Sequence, residues 1–310
     1  ELYNDFLLNS KASGTFLDAL IIVLPKQDKD TRYCKNYRPI SLIDNDCKIF
    51  AKIIATRLDS IIPLLVKPDQ SGFIKGRLAS DNARMFSDII TQANKFKSPL
   101  AALSLDAEKA FDRINWEYMF QTLHWFGFGE KFISYIRILY SNPKASIFVN
   151  GCFSPTFNLH RGTRQGCTLS PLLFVLCLEP FLERIRNNPN ISGFPFKDGQ
   201  IKLSAYADDI LLYMSNPTTS LPSFINEITL YSTVSGYKLN FTKTEILPLN
   251  SLCCQYMFTD SDFVWCPSKI KYLGVWFSPV IKKIIDYNFQ KISLKIQNLF
   301  ASWSPLFLSW

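Results

Sequence analysis

The chain has 310 residues, 47% of them hydrophobic and 26 of them Phe, which is core enough for one large domain or two small ones. A formal net charge of +8 and a pI near 9.0 favour a polyanionic partner. Eight cysteines without a C-x-x-C spacing and only two histidines, His124 and His160, argue against a zinc site; the thiols read as reduced, mostly core-packing, in an intracellular protein.

Residues 1–19 are amphipathic and carry no evident chemistry. Residues 20–24 form a buried-strand pattern that stops at Pro25. Lys26, Lys29, Arg32, Lys35 and Arg38 follow, in a loop basic enough to cradle a triphosphate, or simply a solvated one. Asn45 is placed to cap a helix running to Ile62, with Ile49, Phe50, Ile53, Ile54, Leu58, Ile61 and Ile62 inward and Pro63 at its end. Gln70, Arg77 and Asn82 lie before or within the start of a second helix, capped at Ser80, and read either as template contacts or as plain loop residues.

Residues 101–105 read as a short buried strand ending on Asp106, with a helical turn after it through Phe111 and Asp112. Asp112 reads as structural, paired with Arg113 or nearby backbone. Trp116, Met119, Phe120, Leu123 and Phe126 make a helical core stripe, and a second helix spans residues 130–140. Asn150-Gly151 between two strand patterns is the strongest short hairpin signal. Next, Gly162 and Gly166 permit close backbone approach, as a passing base pair needs, while Gln165 offers both donor and acceptor and Arg161 and Arg164 suit phosphates. Ser170 caps a buried helix, with Pro171 at its first position and a kink at Pro180. The apolar run at 172–182 holds Glu179 and Pro180 and is too short to span a bilayer, so no membrane partner is expected; no signal peptide opens the chain.

Residues 202–213 place Asp208 and Asp209 at the tip of a strand-turn-strand hairpin. Alone, this doublet also reads as an exposed acidic turn. Asp106 at the end of another strand changes the balance. If strand and hairpin are neighbours in one sheet, three carboxylates converge, as two-metal phosphoryl transfer requires. Phe224, Ile225, Ile228, Tyr231 and Val234 then make a helix ended by Gly236, and the apolar stretch 300–310 reads as a piece of something longer.

Tyr206-Ala207-Asp208-Asp209, with Ser104-Leu105-Asp106-Ala107-Glu108-Lys109-Ala110-Phe111-Asp112 upstream, resembles the palm of a reverse transcriptase of the non-LTR retrotransposon (LINE) group. Tyr37-Arg38-Pro39-Ile40-Ser41-Leu42, Gln70-Ser71-Gly72-Phe73, the stretch from Arg161 to Pro171, Gly236 to Thr244, and Tyr272-Leu273-Gly274 resemble the other motifs, in family order. Thr168 stands where a proline is expected. The resemblance implies Asp106, Asp208 and Asp209 as metal ligands and catalytic residues, with two Mg²⁺ or Mn²⁺ ions. It implies nucleotide contacts from Arg38, Lys26, Phe111 as a gate against the 2′-hydroxyl, Gln165, Gly166 and Lys243. Primer or template contacts are implied for Tyr206, Arg161, Gly162, Arg164, Tyr272, Leu273 and Gly274. Read from residues alone, Phe111 also suits plain core and Lys243 a plain surface loop.

The expected fold is α+β, the fingers and palm of a right-hand polymerase: a small antiparallel sheet backed by helices, with a truncated thumb. The expected divisions are an extension at 1–19, a reverse transcriptase domain at 20–277 and an incomplete thumb at 278–310. Expected partners are an RNA template, a DNA primer or target and dNTPs, with an endonuclease region in the full-length polyprotein and none in this chain. The expected setting is a cytoplasmic ribonucleoprotein and the nucleus. A competing expectation is a catalytically inactive, nucleic-acid-binding remnant of a decayed element.

Overall fold

The computed structural model describes residues 2–304 except 10, 11, 13, 27, 28, 198 and 260, and the side chains of 2, 7 and 291 are left out. Strands and helices mix, and the chain divides into two compact units interleaved along the sequence. The first holds residues up to Arg77, Ala107–Asn187 and Asn226–Leu239. The second holds Leu78–Asp106, Asn188–Ile225 and the residues from Asn240 on.

In the first unit, α1 (Leu2–Asn9) precedes β1 (Ala19–Pro25), which pairs antiparallel with β2 (Tyr37–Ile43) in the register Ile22↔Ile40. Helix α2 (Asn45–Asp59) is capped by Asp44, whose carboxylate accepts from the Asp46 N–H, and not by Asn45 as expected. It ends at Asp59, and Ile62 opens a separate turn, α3 (Ile62–Leu65), with Pro63 inside it. The buried stripe is Cys47, Phe50, Ala51, Ile54, Ala55 and Leu58, while Ile49 and Ile53 face outward, against expectation. Arg77 donates to the carbonyls of Pro63, Val66, Lys67 and Gln70, and Gln70 accepts from the Gly72 N–H; both hold the loop they sit in.

The second unit starts with α4 (Ala79–Ala93), which follows Leu78 without a side-chain cap, so Ser80 does not cap it, and β3 (Leu100–Leu105). Back in the first unit come α5 (Ala110–Arg113), α6 (Trp116–Trp125), α7 (Glu130–Leu139), β4 (Lys144–Val149), β5 (Cys152–Phe153), β6 (Phe157–Asn158) and α8 (Ser170–Asn187). Strand β4 pairs parallel with β1, and the Asn150-Gly151 turn joins Val149 to Cys152 with φ of 53° and 80° at its two residues. Both central residues of a type I′ turn need positive φ, which is why this dipeptide was readable. Helix α8 buries twelve residues and carries Pro180 inside it. Its one buried acid, Glu179, meets Arg186, which also grips Asp69 and Glu183.

The second unit continues with β7 (Phe194–Phe196), β8 (Gly199–Ile201), β9 (Leu203–Tyr206) and β10 (Asp209–Ser215). Helix α9 (Pro217–Ser235) is counted half with each unit, and Val234 on it is exposed. Then come β11 (Glu245–Pro248), β12 (Val264–Trp265), β13 (Ile270–Tyr272), β14 (Val275–Phe277) and α10 (Ile281–Trp303). The main sheet runs β12-β11-β3-β10-β9, antiparallel except for β11 with β12. Phe86, Ile89 and Ile90 of α4 pack on Leu211, Tyr213 and Leu247 of this sheet, and Tyr272 and Phe277 join the same cluster. All eight cysteines are free thiols, but only Cys47, Cys177 and Cys253 are buried, while Cys34 and Cys152 are exposed, so most do not pack the core. Among the described residues, no helix is long and apolar enough to cross a membrane.

Candidate active site

The acids lie at one end of the main sheet of the second unit. The pairing of β10 with β3 closes at Ile210↔Leu105. One residue beyond it stand Asp209 on one strand and Asp106 on the other, side by side across the ladder's end. Tyr206 pairs with Asp209 in the β9–β10 hairpin, so Ala207 and Asp208 form its two-residue tip. Ala207 takes φ 54°, where a two-residue hairpin ordinarily uses glycine.

The acids act on one another's charge. Burial raises the Asp208 carboxyl, its own backbone N–H partly offsets this, and the charge of Asp106 raises it again. Asp209 is pushed up to about 6, by lost hydration first, then by Asp208 and by Asp106. Glu245 is a fourth acid. It sits opposite Ser104 on β11, two residues from Asp106 on the adjoining strand, and is raised by burial and by Asp106. The backbone of Asp106 is clamped by the 240–244 segment: the Asn240 N–H donates to its carbonyl at 2.8 Å, and its N–H donates to the Thr244 hydroxyl at 3.4 Å.

Among the described residues, no three His, Cys, Asp or Glu side chains form a ready-made metal cage. The donor set nonetheless fits a hard cation. It is all carboxylate, mutual repulsion raises it, and magnesium is held typically by one or two carboxylates plus substrate phosphates and water rather than by an all-protein cage.

The other expected site residues fall on both units. In the first unit, Phe111 is half-buried, stacked on Phe174 at 4.3 Å and edge-on to Phe73 at 6.2 Å. The 162–166 loop is stitched to residues 111–116: Gly162 N–H to Ile114 O and Thr163 N–H to Phe111 O, both 2.7 Å, with Trp116 Nε1 donating to Gly162 O at 2.8 Å. A Cβ on Gly162 would come within 2.6 Å of the Asp112 carbonyl oxygen, and one on Gly166 within 2.6 Å of that of Ser41. The close approach these glycines permit is therefore to the protein's own main chain, a correction to the base-pair reading. Gln165 donates from Nε2 to Asp112 Oδ1 at 3.2 Å, while Arg113 lies 3.8 Å from Glu108, so the Asp112 carboxylate meets Gln165 rather than Arg113.

Arg164 is also corrected. It is buried, and its guanidinium donates to the Leu139 carbonyl, which removes it from any phosphate. Arg161 remains exposed, as does Arg38 on β2, while Lys26 Nζ donates to the Lys35 carbonyl at 3.0 Å. Arg161 and Gln165 line a cavity of ≈ 180 Å³ together with Ser41, Asp112 and Trp116 among others.

In the second unit, Lys243 is exposed on the turn Phe241–Lys243. The Tyr272 side chain is buried, its hydroxyl accepting from Asn82, which also donates to Ala205 O; neither is a surface contact. Leu273 and Gly274 form the turn between β13 and β14, with φ of 48° and 85°.

An antiparallel sheet that ends in clustered carboxylates and is backed by a helix fits a polymerase of the right-hand class. A family model described as reverse transcriptase (RNA-dependent DNA polymerase) matches residues 24–277. The chain belongs to that family, and its relatives are reverse transcriptases of non-LTR retrotransposons. It is 36% identical over 275 residues to the transposon TX1 uncharacterized 149 kDa protein of Xenopus laevis, covering 86% of this chain and 21% of that protein. It is 29% identical over 209 residues to the Pol polyprotein of the type-2 retrotransposable element R2DM of Drosophila melanogaster, covering 67% and 19%. The chain thus spans about a fifth of the length of these relatives. Apo telomerase of Candida Tropicalis, truncated from its C-terminal domain, shares the fold with a TM-score of 0.58 at 14% identity, over 90% of this chain and 58% of that one. Reverse transcriptases generally use divalent metal ions.

Proposed function

We propose that this chain copies an RNA template into DNA by adding dNTPs to a primer 3′-hydroxyl, with Asp106, Asp208 and Asp209 as the acids that hold two Mg²⁺ ions. The observation that carries this reading is the convergence of Asp106 and Asp209 across one ladder end, with Asp208 beside them and mutual repulsion among all three. Bound divalent cations supply Lewis-acid charge to an attacking hydroxyl and a departing phosphate, and Mn²⁺ substitutes on the same chemistry. The primer hydroxyl attacks the α-phosphate of the dNTP, and pyrophosphate leaves.

The remaining roles follow from chemistry and exposure. Arg38 and Lys26 meet the triphosphate, with Lys26 first releasing its own loop carbonyl. The Phe111 ring, steadied from behind by Phe174, sits under the sugar and leaves no room for a 2′-hydroxyl. Gln165 and Gly166 meet the nucleotide, and exposed Lys243 can donate a proton to pyrophosphate. Tyr206, Arg161 and the Leu273–Gly274 turn face primer or template. Residues 20–277 form the polymerase domain, 1–19 an extension and 278–310 the start of a thumb. The partners are an RNA template, a DNA primer at the target and dNTPs, with an endonuclease region elsewhere in the full-length polyprotein. The setting is a cytoplasmic ribonucleoprotein and the nucleus.

Primer extension tests the reading. The purified chain, a DNA primer annealed to RNA, dNTPs and Mg²⁺ are expected to give extended product that EDTA abolishes. Tight nucleic-acid binding without extension under Mg²⁺ or Mn²⁺ would favour the inactive remnant.

A further inference from the structure

We propose that Asp112 is the positioning residue that fixes the amide of Gln165. This rests on the reading of Gln165 as a nucleotide contact. An ionised carboxylate can only accept hydrogen bonds, so the Gln165 group facing it must be the NH₂. The amide is thereby oriented, and its carbonyl oxygen turns away from Asp112 as an acceptor for substrate. Burial raises the Asp112 carboxyl, and its bond from Gln165 opposes that shift.

Gln165 is held at both ends. Its main-chain carbonyl accepts from the Ser41 N–H at 2.8 Å, and its side-chain amide donates to Asp112 at 3.2 Å. Asp112 is itself locked from the other side by the main-chain bonds from Gly162 to Ile114 and from Thr163 to Phe111, and by the backbone of Gly162 pressed against it. A flexible amide on a loop loses rotamer freedom when it binds a ligand; one already fixed loses less. Asp112 therefore contributes to nucleotide affinity without touching the nucleotide. Sequence spacing hides this, because the two residues are 53 apart.

The experiment is a double-mutant cycle on the full chain, read as KM for dNTP and kcat in primer extension. Asp112→Ala is expected to raise KM about tenfold with little change in kcat. Asp112→Asn keeps a carbonyl acceptor of the same shape and is expected to restore most of the lost affinity. Added to Gln165→Ala, Asp112→Ala is expected to raise KM no further. Additive effects in the double variant, or a fall in kcat and melting temperature with KM unmoved, would overturn the proposal. If Asp112→Ala does not fold, Asp112→Asn decides alone: KM near that of Gln165→Ala overturns it, and KM near wild type supports it. A wild-type chain that extends no primer would instead refute the polymerase reading on which this inference rests.

Discussion

Replacing Gly162 by alanine separates backbone strain from crowding, because Gly151 provides a matched control. The two glycines have nearly the same φ, +82° and +80°. An alanine at either must adopt a left-handed conformation, which costs an L-residue about 1–2 kcal/mol. At both sites the loss of unfolded-state freedom returns about 0.4–1 kcal/mol. Only the surroundings differ. A Cβ at 151 meets nothing within 4 Å, whereas one at 162 lies 2.6–2.8 Å from three backbone atoms of Asp112. Backbone cannot swing aside as a side chain would, so overpacking adds about 1–3 kcal/mol there. Gly151→Ala is then expected to lose about 1 kcal/mol and Gly162→Ala about 2–4 kcal/mol. Urea unfolding measures both, with the denaturant slope checked for constancy. Equal midpoints for the two variants would show that the loop does not press on Asp112 as described.

Other consequences follow from the charged and aromatic groups. Arg186→Met leaves Glu179 buried beside Asp69 without its cation and is expected to cost about 3–5 kcal/mol, with Glu179→Gln in the same chain recovering part of the melting temperature. Because Asp209 in the folded chain titrates near 6 rather than at its usual 3.8, its contribution to metal-free stability is present below about pH 4 and is lost as pH rises through about 6. In EDTA the melting temperature of Asp209→Asn is therefore expected to fall less steeply over that window than wild type, and an unchanged slope would contradict the assigned repulsion. Divalent cation is expected to raise the wild-type melting temperature more at pH 7.5 than at pH 5. Phe111→Val opens the space under the sugar and is expected to admit ribonucleotides, measured as the ratio of kcat/KM for dNTP and rNTP; an unchanged ratio would remove the gate.

The parts legible in the sequence were those set by local rules. Asn150-Gly151 named its own turn, and the apolar runs around Asp106 and Asp208 named a strand and a hairpin, which the β3–β10 ladder joins in one sheet. The helix from Asn45 was found, but Asp44 and Asn45 are both capping residues and only geometry chose between them. Its face was partly misjudged because Ile49 and Ile53 form a second stripe that hydrophobicity alone cannot tell from the first. Ala207 was not predicted to hold a positive φ, since alanine carries no such signal; the tip is strained at its most acidic point. The site's supporting contacts were the least legible. Glu245 reaches Asp106 only through the strand order β11-β3-β10, and Asp112 on α5 reaches Gln165 only through the packing of the 162–166 loop on that turn. Arg164 looked like a phosphate ligand because charge is visible in a sequence and burial is not.

The most direct test of the central claim is primer extension by Asp208→Asn beside wild type, with binding to the primer–template measured in the same preparation. Loss of extension by several orders of magnitude with nucleic-acid affinity nearly unchanged is the predicted result. Extension that survives the substitution would contradict the assignment of this acid, and with it the two-cation site.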